Sequence, residues 1–192
     1  MLPALLAFDQ LHVSSYLVGS IASSLHGMQQ LARDIDLVVD LPERAIAPLL
    51  ALLKPYYSLD EDAIWEAVRT RKSCSLIYLD SLMKVDVILT RREAFDTSMH
   101  RLVGRHTLDE NAPPVCLASA SEMILFKLRR YQRDEYSRSD GMRNDAEWND
   151  IVGMLKVQGP DLDLPLLEEW AGPLDMTETW QRALVDAGLC GA

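Results

Sequence analysis

Hydrophobic positions repeat with two different periods along the first part of the chain, residues 1 to about 90. Apolar residues three or four apart indicate amphipathic helices, whereas short apolar runs bounded by polar residues indicate strands. The predicted helices are Leu2–His12, Ile21–His26, Glu43–Leu53 and Asp60–Arg69. The predicted strands are Ser15–Val18, Asp34–Val39, Cys74–Leu79 and Lys84–Leu89, with the last two paired as an antiparallel hairpin. Helices and strands mixed in this way predict an α+β region.

A strong helical signal follows residues 91–118, a mixed stretch that ends in a predicted strand, Val115–Leu117. Ser119 and Glu122 form an S-x-x-E pattern, in which each side chain can accept a hydrogen bond from a backbone N–H group at the start of a helix. Apolar residues follow at the i, i+4 and i+7 positions of that helix: Ile124, Leu128 and Tyr131.

The last part of the chain is predicted to be helical after a polar interruption. Residues Gln132–Asn144 are polar and charged and contain a glycine, which predicts a mobile loop. Helices are then predicted over Asp145–Val157, about Leu164–Ala171 and Asp175–Ala187. The predicted fold class is therefore α+β: a small mixed sheet with flanking helices over residues 1–118, followed by a C-terminal helical domain over residues 119–192.

Composition narrows the class of protein without indicating a function. Of the 192 residues, 48% are apolar and 25% are charged, which is ordinary for a globular protein and excludes a largely disordered one. The net charge of −10 disfavours a surface that coats nucleic acid, although a local basic groove stays compatible with it. No apolar run approaches the roughly 18 residues of a membrane span, and the first residues lack a basic leader. With three widely spaced cysteines, these features predict a cytoplasmic protein that has no membrane segment.

The most informative segment carries two aspartates, Asp34 and Asp36, on one predicted strand. Residues two apart on a strand project from the same face, so these carboxylates lie side by side while Ile35 and Leu37 face a core. Adjacent carboxylates repel each other unless a cation neutralises them. Mg²⁺ suits such a pair, because it takes one or two protein carboxylates and completes its shell with phosphates and water. The pattern therefore predicts a site for Mg²⁺ or Mn²⁺.

A third acidic residue, Asp86, also lies on the polar face of a predicted strand. Asp86 lies between two valines, so its side chain takes the polar face of its strand. If that strand neighbours Asp34–Val39, three carboxylates converge on one surface and can hold two metal ions about 3.5–4 Å apart for phosphoryl or nucleotidyl transfer. Gly19 and Ser20 lie at a predicted strand-to-helix turn, where backbone N–H groups can bind a triphosphate.

This combination of motifs resembles that of the DNA polymerase β-type nucleotidyltransferase superfamily. The matching elements are Gly19-Ser20, a spacer of 13 residues, Asp34-Ile35-Asp36 and the later Asp86 in a V-D-V strand. Within that superfamily, the chain is similar to the small bacterial nucleotidyltransferase-like proteins related to AbiE-type toxins of toxin–antitoxin systems. Those proteins carry a helix with a lysine, matched by Lys127, and a later W-x-D-I helix, matched by residues 148–151. The resemblance covers residues 14–187, nearly the whole chain.

The resemblance implies a nucleotidyltransferase fold and a role for each residue of the first motif. Gly19 and Ser20 would hold the triphosphate of a nucleotide. Asp34 and Asp36 would bind the metal, and Asp86 would complete the metal site. Asp86 would also be placed to activate an attacking hydroxyl group.

The second motif contributes two further candidates. Lys127 would approach the phosphates, which would supply a counter-charge for a cation at the edge of a buried stripe; alternatively, its aliphatic stem covers the core. Asp150 is either a supporting residue or a surface charge of its helix. Many relatives have Arg and Thr four and two residues before the first aspartate. This chain has Gln30 and Ala32 there, with Arg33 as an adjacent candidate for support.

The resemblance predicts an Mg²⁺-dependent enzyme that moves a nucleoside monophosphate from an NTP to a hydroxyl group. The acceptor would be RNA, such as a tRNA 3′ end, or a protein, and the chain would be a toxin with a cognate antitoxin as partner. Two alternatives stay open. One is a catalytically silent nucleotide-binding or interaction module, which Gln30 and Ala32 favour and the retained Asp86 opposes. The other is a transferase that modifies a hydroxylated antibiotic, since an acidic surface attracts a cationic substrate.

Overall fold

The chain divides into two compact units. The computed structural model describes residues 2–26, 34–106, 114–137 and 145–189. The first unit, termed the sheet unit, comprises Met1–Ile21 and Leu31–Ala118. The second, termed the helical unit, comprises Ala22–Gln30 and Ser119–Ala192.

A mixed β-sheet forms the centre of the sheet unit. Its strands in chain order are β1 (Ser15–Val18), β2 (Asp34–Val39), β3 (Tyr57–Leu59), β4 (Ser73–Tyr78), β5 (Lys84–Leu89), β6 (Gly104–His106) and β7 (Val115–Leu117). The order across the sheet is β3-β4-β5-β2-β1-β7-β6. Strand β2 pairs antiparallel with β1 and parallel with β5, and β5 pairs antiparallel with β4. The predicted mixed sheet and the β4–β5 hairpin are therefore confirmed.

Helices lie between the strands along the chain of the sheet unit, as is typical of an α+β fold. They are α1 (Leu2–Gln10), α2 (Gly19–Leu25), α3 (Ile46–Leu53), α4 (Glu61–Thr70) and α5 (Ala94–Leu102), with a short 3-10 helix at Glu43–Ala45. Helix α4 begins where the Asp60 side chain accepts a hydrogen bond from the backbone N–H of Ala63 at 3.0 Å. Helix α5 was not predicted, although Glu93 and Asp96 form a capping box at its start.

The alternation of side chains explains how the core of the sheet unit is filled. In β5, Val85, Val87 and Leu89 are buried, while the intervening residues are half-buried or exposed. Strand β2 is buried along nearly its whole length, as befits a central strand, and Leu37 is fully buried. Each buried aliphatic side chain contributes roughly 1.5–3 kcal/mol relative to exposure. A slip of one residue in β5 would turn Asp86 into this core, so the core fixes the register.

The helical unit is built from α6 (Ala120–Ser137), α7 (Asp145–Gln158), α8 (Leu164–Ala171) and α9 (Thr177–Ala187), with a 3-10 helix at Gly159–Asp161. The predicted capping box at the start of α6 is confirmed. The Ser119 N–H donates to Oε2 of Glu122 at 2.6 Å, and the Glu122 N–H donates to Oγ of Ser119 at 3.3 Å. The predicted apolar stripe of α6 is buried. No helix in the described part of the chain is long and apolar enough to cross a membrane.

The loop predicted over Gln132–Asn144 is wrong for its first part. Helix α6 continues through Ser137, and residues 138–144 lie outside the described residues. The sequence from Gln132 to Ser137 contains neither glycine nor proline, and the first glycine after it is Gly141. Polar residues such as Gln, Arg and Glu have good helix propensity, so a polar composition alone does not end a helix.

Candidate active site

Two parallel strands at the centre of the sheet carry the three predicted carboxylates. In the β2–β5 register, Asp36 lies directly beside Asp86, and Asp34 lies directly beside Lys84. The strand that carries Asp86 thus neighbours β2, as the sequence analysis required. Because residues two apart on a strand share a face, these four residues form a two-by-two block on one face of the sheet. We term this block the β2–β5 cluster.

Exposure differs strongly within the β2–β5 cluster. Asp36 is buried, with 7% of its surface exposed, and Asp34 is half-buried. The Asp86 side chain is 19% exposed, whereas the Lys84 side chain is 45% exposed. Burying a carboxylate is costly unless a cation or hydrogen bonds compensate its charge. Asp36, the most buried of the four, therefore has the greatest need of a compensating positive charge, whereas Lys84 is open to solvent.

Gly19 allows the end of β1 to lie directly against Asp36. Its φ of +74° falls in the left-handed region, and a Cβ on this residue would overlap Oδ2 of Asp36 and lie 2.8 Å from its Cγ. Only glycine satisfies both conditions without strain. Ser20 follows as the second residue of α2, so the predicted strand-to-helix turn at these two residues is confirmed. The turn and the β2–β5 cluster are therefore adjacent, because Val18 pairs with Asp36.

Both carboxylate oxygens of Asp86 have partners in the structure. Ser75, its neighbour in β4, donates from Oγ to Oδ1 at 2.6 Å, and Lys84 donates from Nζ to Oδ2 at 2.7 Å. The hydrogen bond to Asp86 raises the pKa of the Lys84 ammonium above its ordinary value. The negative charges of Asp86, Asp34 and Asp36 raise it further, whereas desolvation lowers it. Lys84 is therefore a permanent positive charge at neutral pH.

Lys84 and Ser75 were not predicted as site residues from the sequence. Lys84 could have been found, because it stands two residues before Asp86 and must share its face. Ser75 could not have been found, because its contact depends on the register between β4 and β5. Arg33, a predicted supporting residue, lies outside the described residues, as do Gln30 and Ala32.

The donors of the β2–β5 cluster are of the type that a hard divalent cation prefers. Carboxylate oxygens are common ligands of Mg²⁺ and Mn²⁺, and the cluster supplies three carboxylates on one face. Among the described residues, however, no three Asp, Glu, His or Cys side chains are gathered into a ready metal site. Asp86 is instead held by Ser75 and Lys84. A metal ion bound by all three aspartates would have to take Asp86 from Lys84.

A cysteine lies close to the β2–β5 cluster but adds no nucleophile to it. Burial, together with a smaller contribution from the charge of Asp86, raises the pKa of Cys74 to about 11. The thiol is therefore protonated at neutral pH, and only the thiolate is a strong nucleophile. Covalent catalysis by Cys74 is not supported.

Lys127, the other predicted lysine, has its counter-charges within the helical unit. Its Nζ donates to Oδ2 of Asp150 at 3.0 Å and lies 3.6 Å from Oε2 of Glu147. The Lys127 side chain is only 4% exposed. Asp150 and Glu147 are three residues apart on α7 and therefore share one side of that helix. These two carboxylates supply a counter-charge to Lys127 without a triphosphate, and the predicted contact of Lys127 with the phosphates stays a prediction.

Comparisons with known proteins give partial likenesses only. No protein-family model matches the sequence, and no curated protein matches it. An antigenic nucleotidyltransferase-like protein from Paracoccidioides brasiliensis is 20% identical, covering 79% of this chain and 72% of that chain with a TM-score of 0.49. The antibiotic-resistance factor ANT(2'')-Ia is 14% identical, covering 94% of both chains with a TM-score of 0.48. The lincosamide antibiotic adenylyltransferase LnuA is 12% identical, covering 78% of this chain and 90% of that chain with a TM-score of 0.42.

Identities and TM-scores at this level transfer no function from those proteins to this chain. The case for the β2–β5 cluster therefore depends on its own residues and on the motif spacing. The relationship to AbiE-type toxins stays a prediction from the sequence.

Proposed function

We propose that this protein is a divalent-metal-dependent nucleotidyltransferase whose site is the β2–β5 cluster together with Gly19 and Ser20. The observation that carries the proposal is the pairing of Asp36 with Asp86 on parallel strands, with Gly19 packed against Asp36. Carboxylates on one face beside a turn rich in backbone N–H groups are what phosphoryl-transfer chemistry needs. The G-S, D-x-D and later Asp motif of the sequence supports the same assignment.

Each residue of the site has a distinct proposed role. Asp34 and Asp36 would hold Mg²⁺ or Mn²⁺, and Asp86 would complete the metal site. When bound, the metal supplies positive charge that offsets the negative charge developing on the reacting phosphoryl group. The backbone N–H groups at Gly19 and Ser20 would bind the triphosphate and orient it along the end of β1.

The proposed reaction transfers a nucleoside monophosphate to a hydroxyl group. The acceptor oxygen forms a bond to the α-phosphorus, and the bond from that phosphorus to the oxygen that bridges the α- and β-phosphates of the NTP breaks. The bonding electrons leave with pyrophosphate. The proton of the acceptor hydroxyl passes to a carboxylate oxygen of Asp86 acting as general base.

The proposed acceptor is a hydroxyl group of RNA, such as a tRNA 3′ end, or of a protein. This part of the proposal, like the toxin role and the cognate antitoxin, comes from the sequence resemblance. The full chain is incubated with Mg²⁺ and each NTP labelled at the α-phosphate, in separate arms with total RNA, lysate protein and hydroxylated antibiotics. The labelled product identifies the nucleotide and the acceptor together. NTP binding without label transfer in any arm would favour the catalytically silent module.

Asp36→Asn is the variant that tests the site itself. The substitution keeps the size of the side chain and removes a metal-binding charge, so we expect label transfer to fall roughly a hundredfold or more. Metal-dependent stabilisation by NTP in a thermal melt should be lost as well. Asp62→Asn, at an exposed position of α4, is the matched control and should retain both properties. Full transfer by Asp36→Asn, or equal NTP binding in the presence of a chelator, would refute the assignment.

A further inference from the structure

Lys84 is the one member of the β2–β5 cluster that the proposed reaction does not use. Its Nζ lies 2.7 Å from Oδ2 of Asp86, and the residue stands beside Asp34 in the strand register. Asp36 occupies the remaining corner of the block, next to Asp86. Among the described residues, the Lys84 ammonium group pairs with Asp86 and stands in a block with two further carboxylates, at the place where the proposed function requires a metal ion.

The backbone anchors Lys84 but leaves its ammonium group free to move. Val85 and Val87 are buried, which fixes the phase of β5 and keeps Lys84 on the face of the aspartates. The Lys84 side chain is nevertheless 45% exposed, so its flexible stem can turn into solvent without crossing the core. Lys84 can therefore occupy the cluster or leave it at little structural cost.

The charges of the cluster explain why such a cation is present. Three aspartates and one lysine share this partly buried face, so the cluster contains more acidic than basic side chains. Nearby carboxylates repel each other when no cation lies among them. A divalent metal at the same place would balance the excess. The metal ion and the Lys84 ammonium group would repel each other, because both are positively charged and both would bind Oδ2 of Asp86.

We propose that Lys84 is a resident counter-ion that competes with the divalent metal for Asp86. This inference rests on the proposed function, because it concerns the metal of that same site. In the metal-free protein, Lys84 holds Asp86 and reduces the repulsion among the carboxylates. Metal binding requires Lys84 to release Oδ2, so Lys84 lowers the affinity for the metal alone. A triphosphate supplies negative charge that favours both cations at once, so Lys84 makes metal and nucleotide bind cooperatively.

Lys84→Met tests the competition, because methionine keeps an unbranched apolar stem and removes the charge. Mn²⁺ alone is titrated into the full chain at fixed ionic strength, and free Mn²⁺ is measured by electron paramagnetic resonance. We expect Lys84→Met to bind Mn²⁺ roughly three- to tenfold more tightly than the wild type, a moderate effect because solvent screens a half-exposed pair. Mn²⁺ should also raise the melting temperature of Lys84→Met more than that of the wild type.

Lys54→Met is the matched control. Lys54 forms a similar ion pair, with Nζ 2.7 Å from Oε1 of Glu61, at an exposed position of the sheet unit. Its removal changes the net charge of the chain by the same amount as Lys84→Met. The Mn²⁺ affinity of Lys54→Met should stay within about twofold of the wild type, since exposed charges act weakly at a distance. An equal gain in both variants would show a general charge effect and overturn the proposal.

Lys84→Arg tests whether the effect on Mn²⁺ affinity comes from the positive charge or from the change of side chain. Because arginine keeps the positive charge, its Mn²⁺ affinity should remain close to that of the wild type or fall. A gain like that of Lys84→Met would overturn the proposal even if Lys84→Met itself folded poorly. If Lys84→Met binds Mn²⁺ no more tightly than the wild type, Lys84 does not compete for the metal.

Nucleotide provides the second readout. In the wild type, adding a non-hydrolysable NTP should tighten Mn²⁺ binding by a larger factor than in Lys84→Met. Weaker NTP binding by Lys84→Met with unchanged Mn²⁺ affinity would instead make Lys84 a nucleotide contact and overturn the competition. Failure of the wild type to bind Mn²⁺ even with NTP would defeat the proposed function as well. Metal binding and label transfer by the wild type, without the expected gain in Lys84→Met, would defeat this inference alone.

Discussion

Two lysines pair with carboxylates in this protein, one in each compact unit, and their surroundings differ. In the sheet unit, Lys84 is half-exposed and stands among three aspartates on one sheet face. In the helical unit, Lys127 is almost fully buried and is shared by Asp150 and Glu147. The sheet site therefore has the larger excess of negative charge and is open to solvent, whereas the helical site has a smaller excess and is closed.

The difference separates a site that can exchange cations from one that stabilises the fold. An open, under-compensated carboxylate cluster can take a metal ion, because water and ions reach it and its excess charge favours binding. A closed pair gains nothing from exchange, because removing its cation would take a positive charge from two carboxylates in a poorly solvated environment. The same residue types thus support a chemical role in one unit and a structural role in the other.

Lys127→Met gives the largest expected effect on stability and tests whether Lys127 has the structural role that distinguishes it from Lys84. Loss of the ammonium group leaves Asp150 and Glu147 adjacent and without their cation, so we expect the free energy of unfolding to fall by about 3 kcal/mol. Urea denaturation followed by circular dichroism measures it. Lys156→Met, at an exposed position of α7, is the control and should change stability by less than about 0.5 kcal/mol.

A triple variant that lacks the charges of Lys127, Asp150 and Glu147 shows whether the uncompensated carboxylates cause that loss. Combining Lys127→Met with Asp150→Asn and Glu147→Gln removes all three charges, so much of the lost stability should return. A Lys127→Met protein of unchanged stability that binds NTP weakly would contradict the structural role. It would support the predicted triphosphate contact of Lys127.

Two glycines with the same backbone angle sharpen the comparison between the units. Gly19 and Gly188 both have a φ of +74°, but a Cβ on Gly188 would meet no other part of the described chain within 4 Å, whereas one on Gly19 would overlap Asp36. Gly188→Ala should therefore cost only the strain of the left-handed conformation, about 1 kcal/mol. Gly19→Ala should cost about 2 kcal/mol, because Asp36 must also move.

Activity should separate these two glycine variants more clearly than stability does. Gly19→Ala displaces Asp36 and so should lower both label transfer and Mn²⁺ affinity, whereas Gly188→Ala should leave both at the wild-type level. Thermal melts and the transfer assay on the same preparations make the comparison. Equal activity in the two variants would mean that the close approach of Gly19 to Asp36 serves packing only.

Much of the fold was predictable because its long elements carry strong local signals. The runs that form β2 and β5, and the capping box of α6, are visible in the sequence and appear in the structure. The equally short β7 was predicted from the apolar residues at its ends, but the three-residue strands β3 and β6 were missed, because Gly104–His106 contains no apolar run and Tyr57–Leu59 is too short to show a period. They lie at the two edges of the sheet, where pairing on one side only gives further weak constraints. Helix α5 was missed although the E-x-x-D pattern of Glu93 and Asp96 was available.

The candidate site was predictable in its residue types and only partly in its contacts. The shared face of Asp34 and Asp36 follows from strand geometry alone. That Asp86 would lie beside Asp36 depends on the parallel pairing of β2 with β5, which joins residues fifty positions apart. The contact of Ser75 with Asp86 and the partners of Lys127 depend on such pairings and on helix packing. A single sequence contains no local signal for these contacts.

Glu122 provides the smallest of the stability effects, and it concerns a buried carboxylate that forms no ion pair with a lysine in the part of the chain that the structure describes. Burial raises the pKa of Glu122 above its ordinary value of 4.5, while its hydrogen bonds with Ser119 lower it in part. Within the described residues, Oε1 of Glu122 has no hydrogen-bond partner. The folded protein therefore keeps this proton to a higher pH than the unfolded chain does. The contribution of Glu122 to stability must then fall as the pH rises from 4.5 through the raised pKa.

Glu122→Gln removes this titration and keeps a side-chain oxygen that can accept from the Ser119 N–H. Its free energy of unfolding, compared with the wild type, should therefore improve between pH 4 and pH 7, since only the wild type must ionise a buried group. Urea denaturation at both pH values measures the change, with Glu168→Gln at an exposed position of α8 as control. A pH-independent difference between Glu122→Gln and the wild type would mean that Glu122 ionises in the fold as easily as in the unfolded chain. A buried carboxylate would then not need a compensating cation in this fold. The difference between the Lys84 and Lys127 sites could not be explained by how deeply their carboxylates are buried.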